Sequence, residues 1–282
     1  MKIDLHIHTT YSDGMLSPER VVDTALDCKL DVIALTDHDN VLSYDIATSY
    51  VNEKNLKLEI ISGVEINTIY KDYEVHILGY FMDKTNSAFV DLINFQQKAR
   101  VEQTHKIVEL LAKKAGMKIK FEDVQALVAP LGSIGRPHIA RAIVNCGGSA
   151  NIMEAYAKYI NNNSDVYVQR NTVSPHDAVE IISEAHGIPV FAHPIDVDIA
   201  DKLTQELVNY GLRGIEAYHR KHSPAMVEYF SSMAENLGLI VTGGSDFHAP
   251  NIMNGQIILG KNFVPEWIYD KLVEEKRRLD LA

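Results

Sequence analysis

The chain opens MKIDLHIHTTYSD, placing His6, His8 and Asp13 within thirteen residues. Side chains alternate along a strand, so in Ile3-Asp4-Leu5-His6-Ile7-His8 the even positions share one face and the odd positions carry the apolar residues. Two imidazoles on one strand face, followed by a carboxylate just past the strand end, suit a divalent metal site at the mouth of a sheet. An isolated His-x-His pair is equally the polar face of a half-buried strand. Further ligands must therefore come from elsewhere in the chain.

They come from the ends of other apolar runs. The second run gives Ala34-Leu35-Thr36-Asp37-His38-Asp39-Asn40, the third Gly63-Val64-Glu65, and the fourth His76-Ile77-Leu78-Gly79-Tyr80. The fifth ends in Phe191-Ala192-His193-Pro194 and the last in Gly244-Ser245-Asp246-Phe247-His248. In a parallel barrel the strand C-termini converge on one face, where catalytic residues collect. His6, His8, Asp13, His38, Glu65, His76, His193, Asp246 and His248 would meet there. Imidazole and carboxylate donors without thiolate suit Mn²⁺, Zn²⁺ or Fe²⁺. Asp4, Asp37 and Asp39 are read either as groups that orient the ligating histidines or as strand-end turn residues.

The elements that must position these groups follow from hydrophobic patterning. Apolar runs at 31–36, 58–66, 73–81, 188–192, 214–218 and 239–242 join the opening run as seven candidate strands. Helical patterns separate most of them: Ala178, Ile181, Ile182 and Ala185 form a stripe behind a Ser174-Pro175 start. Strand then helix, repeated, implies a largely parallel sheet in an α/β fold. From about Asn86 to Asn171 the rhythm breaks into a long helix, a short element near Phe121 and helices near 136–144 and 152–159. We read residues 86–171 as a helical insertion, with 1–85 and 172–282 forming one discontinuous barrel domain.

Composition narrows the function classes. Of 282 residues, 27 are Lys or Arg and 38 are Asp or Glu, so the net charge of -11 argues against broad attraction to nucleic acid. Cys28 and Cys146 are too few and too far apart for a disulfide framework or a thiolate metal site. The opening run is strand-like rather than a signal peptide, and no run approaches a membrane span. A cytoplasmic enzyme with no membrane association and no obligate protein partner is expected.

The motifs His6-x-His8, Thr36-Asp37-His38-Asp39, Gly63-Val64-Glu65, Ala192-His193-Pro194 and Gly244-Ser245-Asp246-Phe247-His248 resemble the polymerase and histidinol phosphatase (PHP) family, and in its order. The resemblance implies a distorted seven-stranded (β/α) barrel and a trinuclear centre with two to three divalent ions. On that pattern His6, His8, Glu65 and Asp246 hold one ion. Glu65 bridges to a second, held with His76 and His193, and Asp13, His38 and His248 hold the third. Some relatives have His at the place of Asp13. The implied reaction is phosphate ester hydrolysis by a metal-activated hydroxide, with the ions neutralising phosphoryl oxygens and no protein nucleophile.

Within the family, Gly135-Arg136-Pro137-His138-Ile139-Ala140 and Tyr218-His219-Arg220-Lys221-His222 resemble the branch acting on nucleoside 5'-monophosphates, nucleoside 3',5'-bisphosphates and, in some members, short RNA 5' ends. Arg136 at a helix start suits a phosphate. His138 is a second substrate contact, and His222 a substrate contact or the acid that protonates the leaving oxygen. Arg170 is a weaker phosphate candidate, and His105, His176 and His186 are read as surface or core. The expected activity is a metal-dependent nucleotide phosphatase. Its alternatives are a histidinol phosphate phosphatase, a 5'-3' exonuclease on short RNA and a noncatalytic metal-binding module. A near-match to a phosphate-binding loop at Gly255 to Asn262 is set aside, because Asn262 replaces the Ser or Thr and its interior reads as a strand.

Overall fold

The computed structural model describes residues 1–249, 256–261 and 264–281. Seven strands hydrogen-bond in chain order: β1 (Ile3–Ile7), β2 (Val32–Leu35), β3 (Glu59–Tyr70), β4 (Tyr73–Tyr80), β5 (Ile188–Phe191), β6 (Gly214–His219) and β7 (Ile240–Gly244). A parallel bridge between Ile7 and Phe247, with the His8 amide donating to the Phe247 carbonyl at 2.9 Å, brings the last strand back to the first. The sheet is thereby a nearly closed barrel. Its strands bury side chains on both faces, which is why they read as near-continuous apolar runs.

Helices α1 (Pro18–Asp27) and α2 (Leu42–Glu53) connect the first three strands. Between β4 and β5 lie α3 (Ser87–Ala115), α4 (Phe121–Gln125), α5 (Arg136–Asn145), α6 (Ile152–Ala155), a π-helical turn over Tyr156–Ile160, and α7 (Pro175–Glu184). Next come α8 (Ala200–Val208), α9 (Pro224–Leu237) and α10 (Glu266–Asp280). Three of these helices start on a Ser-Pro pair: Ser17, Ser174 and Ser223 each accept the amide three residues on, with proline in the first helical position.

The sheet is largely parallel, as expected, with one exception. β4 runs antiparallel to both β3 and β5. β3 continues to Tyr70, and the two residues Lys71 and Asp72 turn the chain straight back into β4. A two-residue link can only join antiparallel neighbours, since a parallel pair needs a crossover. Lys71 adopts φ 55° there without the glycine that usually marks such a turn. His76 thus lies mid-strand opposite Asn67, and reaches the barrel mouth from a strand running the other way.

The segment between β4 and α7 packs in two directions. Phe89 and Leu92 at the start of α3 join the barrel-side cluster containing Val64, Ile66 and Ile77. Farther along, Ile107, Val108 and Leu111 pack with Val124, Ile139, Ile143 and Ile160 in a core of their own. α3 therefore crosses the barrel mouth as a beam.

The phosphate-loop near-match is also clarified. Gly255 and Asn262 lie outside the described residues, and Gln256–Lys261 forms no strand. Ile257 and Ile258 pack against the core beside β1 and β2, and the Gly260 amide is taken by Asp4. None of the described helices is long and apolar enough to cross a membrane.

Candidate metal centre and substrate cleft

Glu65, at 1% exposure, sits at the centre of the barrel mouth. Its Oε2 faces His38 Nδ1 at 3.0 Å, His8 Nε2 at 3.2 Å and His6 Nε2 at 3.3 Å. Its Oε1 faces His76 Nδ1 at 2.8 Å and His193 Nε2 at 2.9 Å. Asp246 Oδ1 lies 3.4 Å from His8 Nε2 and 3.3 Å from His248 Nδ1. Asp13 Oδ1 lies 3.3 Å from His248 Nε2, and its Oδ2 3.9 Å from His38 Nε2. All nine candidate ligands are thus brought into one cluster, although they come from every quarter of the barrel.

Donor atoms within 4.8 Å of one another form three sets: His6, His8 and Asp246; His38, Glu65 and His76; and His8, Asp13, His38 and His248. These differ from the family-derived grouping in placing His38 with Glu65 and His76, and His8 in two sets. His193 enters through its contact with Glu65. His6 Nε2, His8 Nε2, His38 Nδ1, Asp13 Oδ1 and Glu65 Oε2 are buried without hydrogen-bond partners. Buried polar atoms are normally satisfied, so five such atoms facing each other are what a cation-binding cluster presents. The donor set fits divalent metal.

Electrostatics agree with that fit. Burial alone would lower His6, but Glu216 and Glu65 raise it well above its ordinary value. Burial likewise opposes His193 and His248; Asp196 and Glu65 carry the first to about 9, and Asp13 and Asp246 the second to about 10. Glu65, Asp13 and Asp246 fall well below the usual carboxylate range against their burial, through the surrounding imidazoles. His38 goes the other way: burial outweighs Glu65 and Asp13 and holds it near 3. The carboxylates demand positive charge, which protons or cations can meet. His193 at φ 27° and Asp246 at φ 50° hold strained backbone in the cluster.

The groups that touch the ligand rings are not singled out by the sequence. Glu216 Oε1 meets His6 Nδ1 at 2.9 Å while its Oε2 accepts the His193 amide at 2.8 Å. Ser12 lies 3.3 Å from His8 Nδ1, Asp196 3.0 Å from His193 Nδ1, and Asn67 2.6 Å from His76 Nε2. Among the described residues Asp4, Asp37 and Asp39 touch no ligand ring directly, but Asp4 accepts the His6 amide at 3.4 Å and Asp37 holds Ser12 beside His8 Nδ1, so these two act on the ligating histidines through the backbone and through Ser12. Asp4 accepts the Ser245 and Gly260 amides, and Asp37 accepts from Thr9 and from Ser12 Oγ. These two therefore fix the loops carrying Asp246 and Asp13. In the sequence His219 and Arg220 are only part of a motif and carry no assigned role; His219 Nε2 lies 3.5 Å from Asp246 Oδ2 and Arg220 Nη2 3.1 Å from it. A charged residue interrupting the apolar β6 was the available signal for Glu216.

A cleft runs from Asp13, His38 and His76 to α5 and the π-helical turn, and is also walled by Arg100, Arg136, Arg170, Tyr156 and Tyr167. Arg136 lies in it as the first residue of α5, but its guanidinium is engaged: Nη2 donates to Glu74 at 2.6 Å and Nη1 to Asn162 at 3.0 Å. His138 is buried, and its Nδ1 accepts the Gly135 amide at 3.1 Å, which ties down the start of α5. Burial holds this imidazole near 4. His222 stands behind the centre: its Nδ1 donates to the Ala217 carbonyl at 2.7 Å, and its ring packs against His219 and Phe230. His105 stacks on Phe121 and His176 meets the Tyr210 ring edge-to-face, outside the site.

Comparison with known proteins places this arrangement. Residues 4–173 match the PHP domain family model. The 5'-3' exoribonuclease Rnm of Salmonella typhimurium is 32% identical over 88% of this chain and 85% of its own length. The 3',5'-nucleoside bisphosphate phosphatase of Chromobacterium violaceum is 31% identical over 88% and 87%. Among solved structures, a Bifidobacterium adolescentis protein assigned as a metal-dependent phosphoesterase superposes with a TM-score of 0.87 at 30% identity, over 96% of this chain and 95% of that one. The barrel, the cluster at its mouth and these likenesses together make the chain a member of the PHP-domain family and a metal-dependent phosphoesterase.

Proposed function

We propose that the chain removes a phosphate from a nucleotide, taking nucleoside 5'-monophosphates or nucleoside 3',5'-bisphosphates. The observation that carries this reading is the cleft itself: a cation-binding cluster at one end, three arginines along its wall and two tyrosines beside them. In that reading His6, His8, Asp13, His38, Glu65, His76, His193, Asp246 and His248 hold two to three divalent ions. Bound there, such ions supply a nucleophile at neutral pH and neutralise the charge of the reacting phosphoryl group. Glu216, Ser12 and Asp196 hold the rings of His6, His8 and His193 in place. Arg136, oriented by Glu74 and supported by the His138 contact at the start of α5, faces the anionic substrate. Residues 86–171 act as the specificity segment of the barrel enzyme.

A second reading, stepwise removal of 5' nucleotides from short RNA, is favoured by one feature. Beside Tyr167 a second polar trough, lined by Asp72, Glu74, Asn162, Asn163 and Gln169, adjoins the cleft through Ile69, Glu74 and Tyr167. Orthophosphate and nucleotide release from a panel of nucleoside monophosphates, bisphosphates, 5'-phosphorylated short RNA and histidinol phosphate, assayed with Mn²⁺, tests both. The proposal expects the mononucleotides to be turned over at least tenfold more efficiently than histidinol phosphate. Preference for histidinol phosphate would overturn it.

A further inference from the structure

Asp39 sits where the loop after β2 meets the beam of α3, fully buried and at φ 50°. Its amide donates to the Glu65 carbonyl at 3.0 Å, and its own carbonyl accepts from Gln97 Nε2 and Ser133 Oγ. Its carboxylate accepts Arg100 Nε at 2.6 Å, Gln96 Nε2 at 3.1 Å and the Asn67 amide at 3.2 Å. Arg170 Nη1 stands 3.8 Å from the same carboxylate, while its Nη2 donates to Asn67 Oδ1 and to the Asn67 carbonyl, so Asp39 reaches Arg170 by charge and through Asn67. One residue therefore joins the strands presenting His38 and Glu65 to the helical segment.

The two arginines it gathers are unlike Arg136. Arg100 and Arg170 are only 7% and 8% exposed, and both line the cleft. Arg100 Nη2 and Arg170 Nε are buried without a hydrogen-bond partner, whereas Arg136 is already matched by Glu74. Two guanidinium groups share one carboxylate, which leaves a positive charge uncompensated in a buried wall. Such a charge is costly unless an anion completes it. The metal cluster engages the reacting phosphate, so the anion here is a second one.

We propose that Asp39 is a positioning residue that holds Arg100 directly, and Arg170 by charge and through Asn67, in a subsite for a second, non-reacting phosphate of the substrate. The assignment rests on the nucleotide reading and deepens it by selecting bisphosphates and 5'-phosphorylated ends over simple monoesters. The second phosphate thereby meets the buried pair, and Arg136 faces the rest of the substrate along the cleft wall.

The test compares adenosine 3',5'-bisphosphate with p-nitrophenyl phosphate, which has no second anion, in the metal-loaded enzyme. Arg100→Gln and Arg170→Gln should each raise KM for the bisphosphate by about tenfold or more beyond any change with p-nitrophenyl phosphate, the cost of one charge-assisted contact. Asp39→Asn should give the same split with metal content at the wild-type level. The Asp39→Asn/Arg100→Gln double variant should lose little more than Arg100→Gln alone, because the two residues act as a unit. Equal losses on both substrates, additive losses in the double variant, or a split confined to Arg136→Gln would overturn the proposal. Should Asp39→Asn fail to fold, Arg100→Lys, which keeps the charge but loses the Nε contact, replaces it with the same expectation. If the wild type turns over p-nitrophenyl phosphate but no nucleotide, the nucleotide reading fails by itself. The subsite is then judged from inhibition of p-nitrophenyl phosphate hydrolysis by the bisphosphate, whose Ki should rise in the same variants.

Discussion

Glu65 carries more of the site than any other single side chain. Five imidazoles approach its two oxygens within 3.3 Å, and the group has no room to exchange one partner for another. Glu65→Gln keeps the shape and removes the charge, leaving several buried groups without their counter-ion. A loss of about 3–5 kcal/mol, between about a hundredfold and a few thousandfold in catalytic efficiency, is expected, with metal content falling in parallel. Glu216 is one contact farther out and should matter less: Glu216→Gln should cost roughly ten- to a hundredfold in metal affinity or activity. Elemental analysis beside steady-state kinetics checks the order, and a Glu216 variant worse than the Glu65 variant would reverse it. At this scale the ligand types were readable from the chain, because a histidine or carboxylate closes nearly every strand. Their partners were not, since Ser12, Glu216 and Asn67 declare themselves only once neighbouring loops are folded around them.

Elements decide which residues can meet. Strand existence was legible throughout, since buried barrel strands are apolar on both faces. Direction was not: Lys71-Asp72 turns the chain without glycine, so β4 looked like another parallel strand and His76 like another strand-end ligand. The seam between β1 and β7 makes its own demand. A Cβ on Gly244 would stand 2.4 Å from the backbone nitrogen and the Cβ of His6. Gly244→Ala must therefore push the two strands apart, and should cost about 1–3 kcal/mol in thermal or urea unfolding and weaken metal loading. Wild-type stability in that variant would show that the seam yields freely. The start of α5 carries a pH dependence. Buried His138 is held near 4 in the folded protein, below the ordinary 6.5 of an exposed imidazole. Between those values the unfolded chain binds the extra proton and the folded chain does not, so stability falls as pH drops from about 6.5 towards 4. The wild type should lose more stability across that window than His138→Asn, measured by urea unfolding at several pH values. Parallel losses would remove His138 from the account.

The whole molecule combines a net negative charge with three arginines along one cleft. A net charge of -11 repels long polyanions, while Arg100, Arg136 and Arg170 line the cleft that leads to the metal-ligand cluster. That contrast favours substrates small enough to enter the cleft, or the terminus of a short strand, over the body of a nucleic acid. The helical segment was legible as a break in rhythm, but its second role was hidden. Gln96 and Arg100 read as ordinary polar positions on α3 until the helix is seen lying across the barrel mouth. The central claim, that this cleft hydrolyses nucleotide phosphate with metals held by the nine-residue cluster, is tested most directly by orthophosphate release from adenosine 3',5'-bisphosphate. The assay follows the protein as purified, after exhaustive chelation, and after Mn²⁺ is restored, with metal stoichiometry measured at each stage. The account predicts that turnover disappears with the metal and returns with two to three ions per chain. Undiminished turnover in demonstrably metal-free protein, or no phosphate released by fully loaded protein, would contradict it.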